Sequence, residues 1–114
     1  MSIDCLFCKI VRGEIPSKKI YEDDSVMGFV DLYPQAKLHY LFIHKMHTKN
    51  INEICTDEKS LGQVFQAIKA FSEKEALDQD GFRVVTNLGK NAGQTVFHTH
   101  FHVLAGEKLG RFGS

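Results

Sequence analysis

The chain has 114 residues, with Lys plus Arg equal to Asp plus Glu at 14 each and six histidines. That length reads as one domain spanning residues 1–114, and 43% hydrophobic against 25% charged residues excludes a disordered chain or a coiled coil. Zero net charge without a long run of one sign excludes an extended footprint for nucleic acid or an anionic membrane and leaves small ligands open. The start, Met1-Ser2-Ile3-Asp4, lacks the pattern of a secretory signal, and no segment approaches the roughly 20 apolar residues that span a bilayer, so a cytoplasmic location is expected. The three cysteines, with Cys5 and Cys8 in C-x-x-C spacing, suit metal binding or plain thiols in a reducing compartment, and Cys55 reads as a buried apolar residue.

In chain order, Leu6, Phe7, Ile10 and Val11 follow helical spacing and predict a short helix closed by Gly13. Residues 19–21 and 26–31, parted by Glu22-Asp23-Asp24-Ser25, predict a hairpin with Met27 and Phe29 on one face and Asp31 at its end. Residues 38–44 are apolar on both faces, Leu41 and Ile43 against Tyr40 and Phe42, as in a central strand covered twice. Thr56 is the expected cap of the major helix, whose stripe is Leu61, Val64, Phe65, Ile68 and Phe71 and whose stop is Gly81. Residues 82–88 and 97–105 then predict two strands joined by the loop Gly89-Lys90-Asn91-Ala92-Gly93-Gln94. The sum is an α+β domain of about five mostly antiparallel strands with one long helix on one face.

His98, His100 and His102 fall at alternate positions of the last predicted strand, which aims all three imidazoles one way and leaves Thr99, Phe101 and Val103 to pack under the helix. Burying such groups unpaired costs about 1–3 kcal/mol each, so the histidine face is expected toward solvent or a ligand. Three readings follow: polar residues on an exposed strand face, a metal site with an open position, or a neutral imidazole nucleophile whose neighbours donate to a developing anion.

The run Gly93-Gln94-Thr95-Val96-Phe97-His98-Thr99-His100-Phe101-His102-Val103-Leu104 resembles the signature of the histidine-triad family of nucleotide hydrolases and transferases. The resemblance extends over Cys5-Leu6-Phe7-Cys8-Lys9-Ile10, Gly13-Glu14-Ile15-Pro16, Tyr21-Glu22-Asp23-Asp24, Pro34-Gln35-Ala36, the Lys45 to His47 segment and Asn87-Leu88-Gly89. It is strongest toward the purine nucleoside phosphoramidases, with Asn87 favouring that branch over the dinucleoside polyphosphate hydrolases.

The resemblance implies that His100 attacks the α-phosphate, that His102 bonds a phosphate oxygen or the scissile bridge, and that His98 and His47 hold the array and its tautomers. It implies further that Asn87, Gly93 and Thr95 surround the phosphate, Asp31 accepts from the ribose hydroxyls, and Leu6, Phe7, Ile10 and Phe29 sandwich the base. By spacing alone those apolar residues read as core and Asp31 as a strand-end carboxylate. His39 and His44 read as structural or solvent-facing, and His44 stands where the family commonly has proline.

The C-x-x-C spacing of Cys5 and Cys8 suits either half of a tetrahedral zinc site or a pair of buried thiols in the first helix, and the resemblance offers His47 and His98 as the other two ligands, in a structural role. Catalysis is expected to need no cofactor, since no Walker loop or magnesium-binding carboxylate cluster is visible. The implied activity is hydrolysis of purine nucleoside 5′-phosphoramidates through a covalent nucleotidyl-histidine, with AMP or GMP as the nucleotide. The alternatives are a dinucleoside polyphosphate hydrolase and a nucleotide-binding scaffold module with incidental hydrolysis. A homodimer is also implied, while the tail Leu109-Gly110-Arg111-Phe112-Gly113-Ser114 lacks the tryptophan-and-proline ending common in the phosphoramidase branch.

Overall fold

The computed structural model describes residues 5–111. Met1 to Asp4 and the tail positions Phe112, Gly113 and Ser114 lie outside the described residues.

Helix α1, Leu6–Val11, forms where expected. Cys5 caps it, its Sγ accepting the Cys8 N–H, and Gly13 at φ +78° turns the chain away, a conformation glycine adopts without steric penalty. The hairpin follows as β1, Lys19–Glu22, and β2, Val26–Val30, with Asp31 one residue past its end. Asp23 holds the turn by accepting the Ser25 and Val26 N–H groups. Strand β3, Leu38–His44, is covered on both faces: Leu41 and Ile43 pack with Met27, Phe29 and α1, while Phe42 packs under the long helix. Gly28 allows this close approach, because a Cβ there would stand 2.9 Å from Ile20 Cδ1 and Phe42 Cε2.

A short helix absent from the sequence reading, α2 over Ile51–Ile54, starts at Asn50, whose Oδ1 accepts the Glu53 N–H. The cap of the long helix α3, Glu58–Lys74, is Asp57 rather than Thr56. Asp57 takes both the Ser60 N–H and the Ser60 hydroxyl, whereas the Thr56 hydroxyl donates back to the Glu53 carbonyl and so ends α2. Val64, Ala67, Ile68 and Phe71 form the buried stripe, while Phe65 is 42% exposed at its rim with its ring 5.0 Å from Phe101. The helix stops before Gly81. Ala76 in the left-handed region (φ 58°) breaks it, and a separate turn α4, Leu77–Asp80, carries the chain to Gly81. Cys55 is exposed at the end of α2, not buried, because Ile54 supplies that turn's core contact.

The last two strands are shorter than expected: β4 is Arg83–Val85 and β5 is His100–Ala105. The sheet is antiparallel throughout in the order β1-β2-β3-β5-β4. One core lies between the sheet and α3, built on Val26, Phe42, Phe101 and Val103, and a second lies between the opposite face and α1. No helix among the described residues is long and apolar enough to cross a membrane.

Candidate active site

A cavity of about 350 Å³ opens between α1 and the sheet face carrying Phe29, Leu41, His100 and His102. The register explains the gathering: Leu41 pairs with His102 and Ile43 with His100 across β3 and β5, and paired residues share a face. Leu6, Phe7, Ile10, Phe29, Asp31 and Thr95 all line the cavity. Phe7 and Phe29 are both wall and core, 4% exposed, with rings 5.4 Å apart edge to face. Asn87 and Gly93 do not line it: Asn87 is half-buried in the coil after β4, and Gly93 is in an exposed turn at φ +83° with its N–H given to the Lys90 carbonyl.

The three histidines do not form one row on one strand. Only His100 and His102 are on β5; His98 precedes it and is wholly buried, because Thr99 bonds across to Thr48 and delays the start of the ladder. The burial is satisfied. His98 Nε2–H donates to the His44 carbonyl at 2.9 Å, which leaves Nδ1 as a bare lone pair 3.3 Å from Cys5 Sγ and 3.5 Å from Cys8 Sγ. The His98 carbonyl in turn accepts Nδ1–H of His100 at 2.7 Å. That bond fixes the His100 tautomer and leaves Nε2 unprotonated in a ring that lines the cavity. Phe7 packs perpendicular to the His100 ring at 5.1 Å and holds its orientation.

His47 does not line the cavity; its Nδ1 is 3.3 Å from Cys8 Sγ. Donor atoms of Cys5, Cys8, His47 and His98 all lie within 4.8 Å of one another. Tetrahedral zinc with ordinary ligand lengths requires sulfur–nitrogen separations of about 3.6 Å, and the contacts here are 3.3 to 3.5 Å. The donor set therefore fits a closed structural zinc, held by these four residues with no position left for substrate. Burial, then the bond to Cys5 and its charge, pushes the Cys8 thiol up to about 11, and a bound cation would supply the charge that makes it a thiolate.

His39, read from sequence as structural or solvent-facing, belongs to the site. It is 4% exposed on β3, and its Nδ1 accepts the Gln35 N–H at 2.9 Å. Its proton therefore resides on Nε2, which donates to His102 Nδ1 at 2.8 Å and lies 3.4 Å from Asp31 Oδ2. This leaves His102 with its proton on Nε2, the ring's free nitrogen. One signal was available: period-two alternation puts His39 on the Leu41 and Ile43 face, a polar group among apolar ones. Its partner lies 63 residues away and was not legible. His44 is structural, its ring bridging the Met46 N–H and Gln63 of α3.

Burial keeps the imidazoles neutral. It holds His98 and His102 down at about 4, helped by neighbouring histidines, and lowers His39 against the pull of Asp31 and His100 against its bond to the His98 carbonyl and then Asp31. At neutral pH the arrangement offers one bare nitrogen, one neutral N–H donor and one carboxylate around a cavity with an apolar end. A larger groove of about 560 Å³ beside Asp23, Asp24 and Lys59 holds no histidine.

Residues 12–109 match the HIT domain family. The chain is 37% identical over 111 residues to the purine nucleoside phosphoramidase of Escherichia coli K12, covering 96% of this chain and 93% of that protein. A histidine triad protein structure from Clostridium difficile superposes with a TM-score of 0.93 at 42% identity, covering 98% of each chain. A HIT family hydrolase from Clostridium thermocellum gives 0.92 at 37% identity over the full length of both. With its family match and its fold in agreement, the chain belongs to the HIT domain family.

Proposed function

We propose that this HIT family member is a hydrolase that cleaves purine nucleoside 5′-phosphoramidates through a nucleotidyl group carried on His100. The observation that carries the reading is the unprotonated Nε2 of His100, held by the 2.7 Å bond to the His98 carbonyl, in a cavity that also contains Asp31 and an apolar end. Asp31 would accept from the ribose hydroxyls and Phe7, Ile10 and Phe29 would contact the base. The α-phosphate would then lie at His100 and His102.

In the first step Nε2 of His100 bonds to phosphorus, the phosphorus–nitrogen bond breaks, and the amine leaves with a proton from His102 Nε2. His39 donates to His102 Nδ1 at 2.8 Å, which keeps that ring oriented and its acidic proton on Nε2 before transfer. Water then attacks phosphorus, the bond to His100 breaks, and the proton that water sheds returns to His102 Nε2. Electrostatic stabilisation would come from neutral donors held by the fold where charge develops, with no reorganisation needed at the moment of reaction. The Cys and His cluster would serve as scaffold, keeping the His98 carbonyl in place. The whole chain would act as one domain, and the outer edge of β4 would favour pairing with a second copy.

The test is a substrate panel with His100→Ala beside the parent protein. Adenosine 5′-phosphoramidate should be hydrolysed far faster than a dinucleoside polyphosphate, and the variant should lose nearly all turnover while still binding AMP. A preference for the polyphosphate would move the protein to the other hydrolase class. Tight AMP binding with negligible single-turnover hydrolysis would make it a binding module, and full turnover in His100→Ala would end the mechanism.

A further inference from the structure

Tyr33 is 80% exposed, yet it lines the mouth of the 350 Å³ cavity. Its backbone is tied at both ends. The Tyr33 N–H donates to Asp31 Oδ1 at 2.8 Å, and its carbonyl accepts from Gln35 Nε2 at 3.2 Å. Pro34 follows, which confines Tyr33 to extended backbone conformations. Gln35 also gives its N–H to His39, so the segment that presents Tyr33 is anchored to the buried imidazoles. Only the two side-chain torsions remain free. Among the described residues the ring has no aromatic neighbour and the hydroxyl no hydrogen-bond partner.

A large aromatic side chain on a preorganised backbone, left in water beside an apolar cavity, loses little entropy when a flat ligand covers it. Asp31 makes the placement specific. One carboxylate oxygen holds the Tyr33 N–H while the other faces His39 and His102. A ribose on that carboxylate therefore carries its base within the reach of the Tyr33 side of the cavity mouth. Stacking on a π-face tolerates any base but grows with overlap, so a two-ring base gains more than a one-ring base.

We propose that Tyr33 is a specificity-determining residue that closes over the solvent side of the nucleobase and favours purines. This rests on the nucleotide reading of the cavity. Stacking on an aromatic side chain has the size of a fivefold to roughly 150-fold change in affinity.

Calorimetric titration of the parent protein, Tyr33→Ala and Tyr33→Phe with AMP, UMP and ribose 5-phosphate tests it. Tyr33→Ala should weaken AMP by about fivefold or more, weaken UMP less, and leave ribose 5-phosphate unchanged. Tyr33→Phe, which keeps the ring, should match the parent. Unchanged AMP affinity in Tyr33→Ala overturns the proposal while leaving the nucleotide reading intact. Equal weakening of all three ligands also overturns it, since that is the signature of a loop that has lost its hold on Asp31. Failure of the parent protein to bind any of the three removes the nucleotide reading and this proposal together.

Discussion

Replacing His39 with phenylalanine keeps a ring of similar size in its place and deletes the donor to His102. The 2.8 Å bond it removes is worth about 0.5–1.5 kcal/mol net, enough to bias the His102 tautomer by roughly two- to thirteenfold. Loss of ring orientation adds to this, so kcat on a nucleoside phosphoramidate should fall by about tenfold. Deleting the donor outright with His102→Phe should cost about a hundredfold or more, the size found when one charge-stabilising donor is removed. The relation between the two is the sharper prediction. Because His39 is a positioning residue acting through His102, the double variant should be no slower than His102→Phe alone. Single-turnover rates of the four proteins, with folding checked by circular dichroism, supply the cycle. Additive losses, or an unchanged kcat in a folded His39→Phe protein, would falsify the positioning role of His39.

Acid should destabilise the metal-free protein. His102 is held at about 4 against an ordinary 6.5, so the unfolded chain binds the extra proton first; the stability is complete above 6.5, is lost as pH falls toward 4, and is constant below. The drop converts to about 3 kcal/mol at most, and urea midpoints on either side of that window should show it; an equal or higher midpoint in acid contradicts it. His98 acts in the same direction. Protein produced with zinc present should carry one zinc per chain by elemental analysis, and chelation or Cys8→Ala should remove it and lower Tm by about 10 °C. Metal-free protein whose Tm ignores chelator would show that the four donors do not form a zinc site. Gly28→Ala should destabilise by about 1–3 kcal/mol in urea titration, since its methyl group meets Ile20 and Phe42 at 2.9 Å; an unchanged midpoint would mean that the sheet yields there at little cost.

Residues whose partners are close in sequence, or whose face follows from alternation, were legible before the fold was known. The first helix, the hairpin and the doubly covered strand at Leu38–His44 are of this kind. Boundaries set by side-chain competition were not. Asp57 outbids Thr56 as a cap because Thr56 turns its hydroxyl back to Glu53, and Ala76 breaks the helix early through a left-handed backbone that its side chain does not announce. The alternation rule also overreached at His98, which obeys the spacing of a strand without being in one.

By itself the sequence determined the family pattern, the order of the elements and the apolar faces, because these depend on periodicity and on motifs carried within short stretches. Only the tertiary structure decided which nitrogen of each imidazole carries a proton. That choice is made by the His44 carbonyl for His98, the His98 carbonyl for His100, and the Gln35 N–H acting through His39 for His102. A ring's tautomer answers to whatever donor or acceptor the fold brings against its other nitrogen, and for His98 and His102 that group arrives from a distant strand.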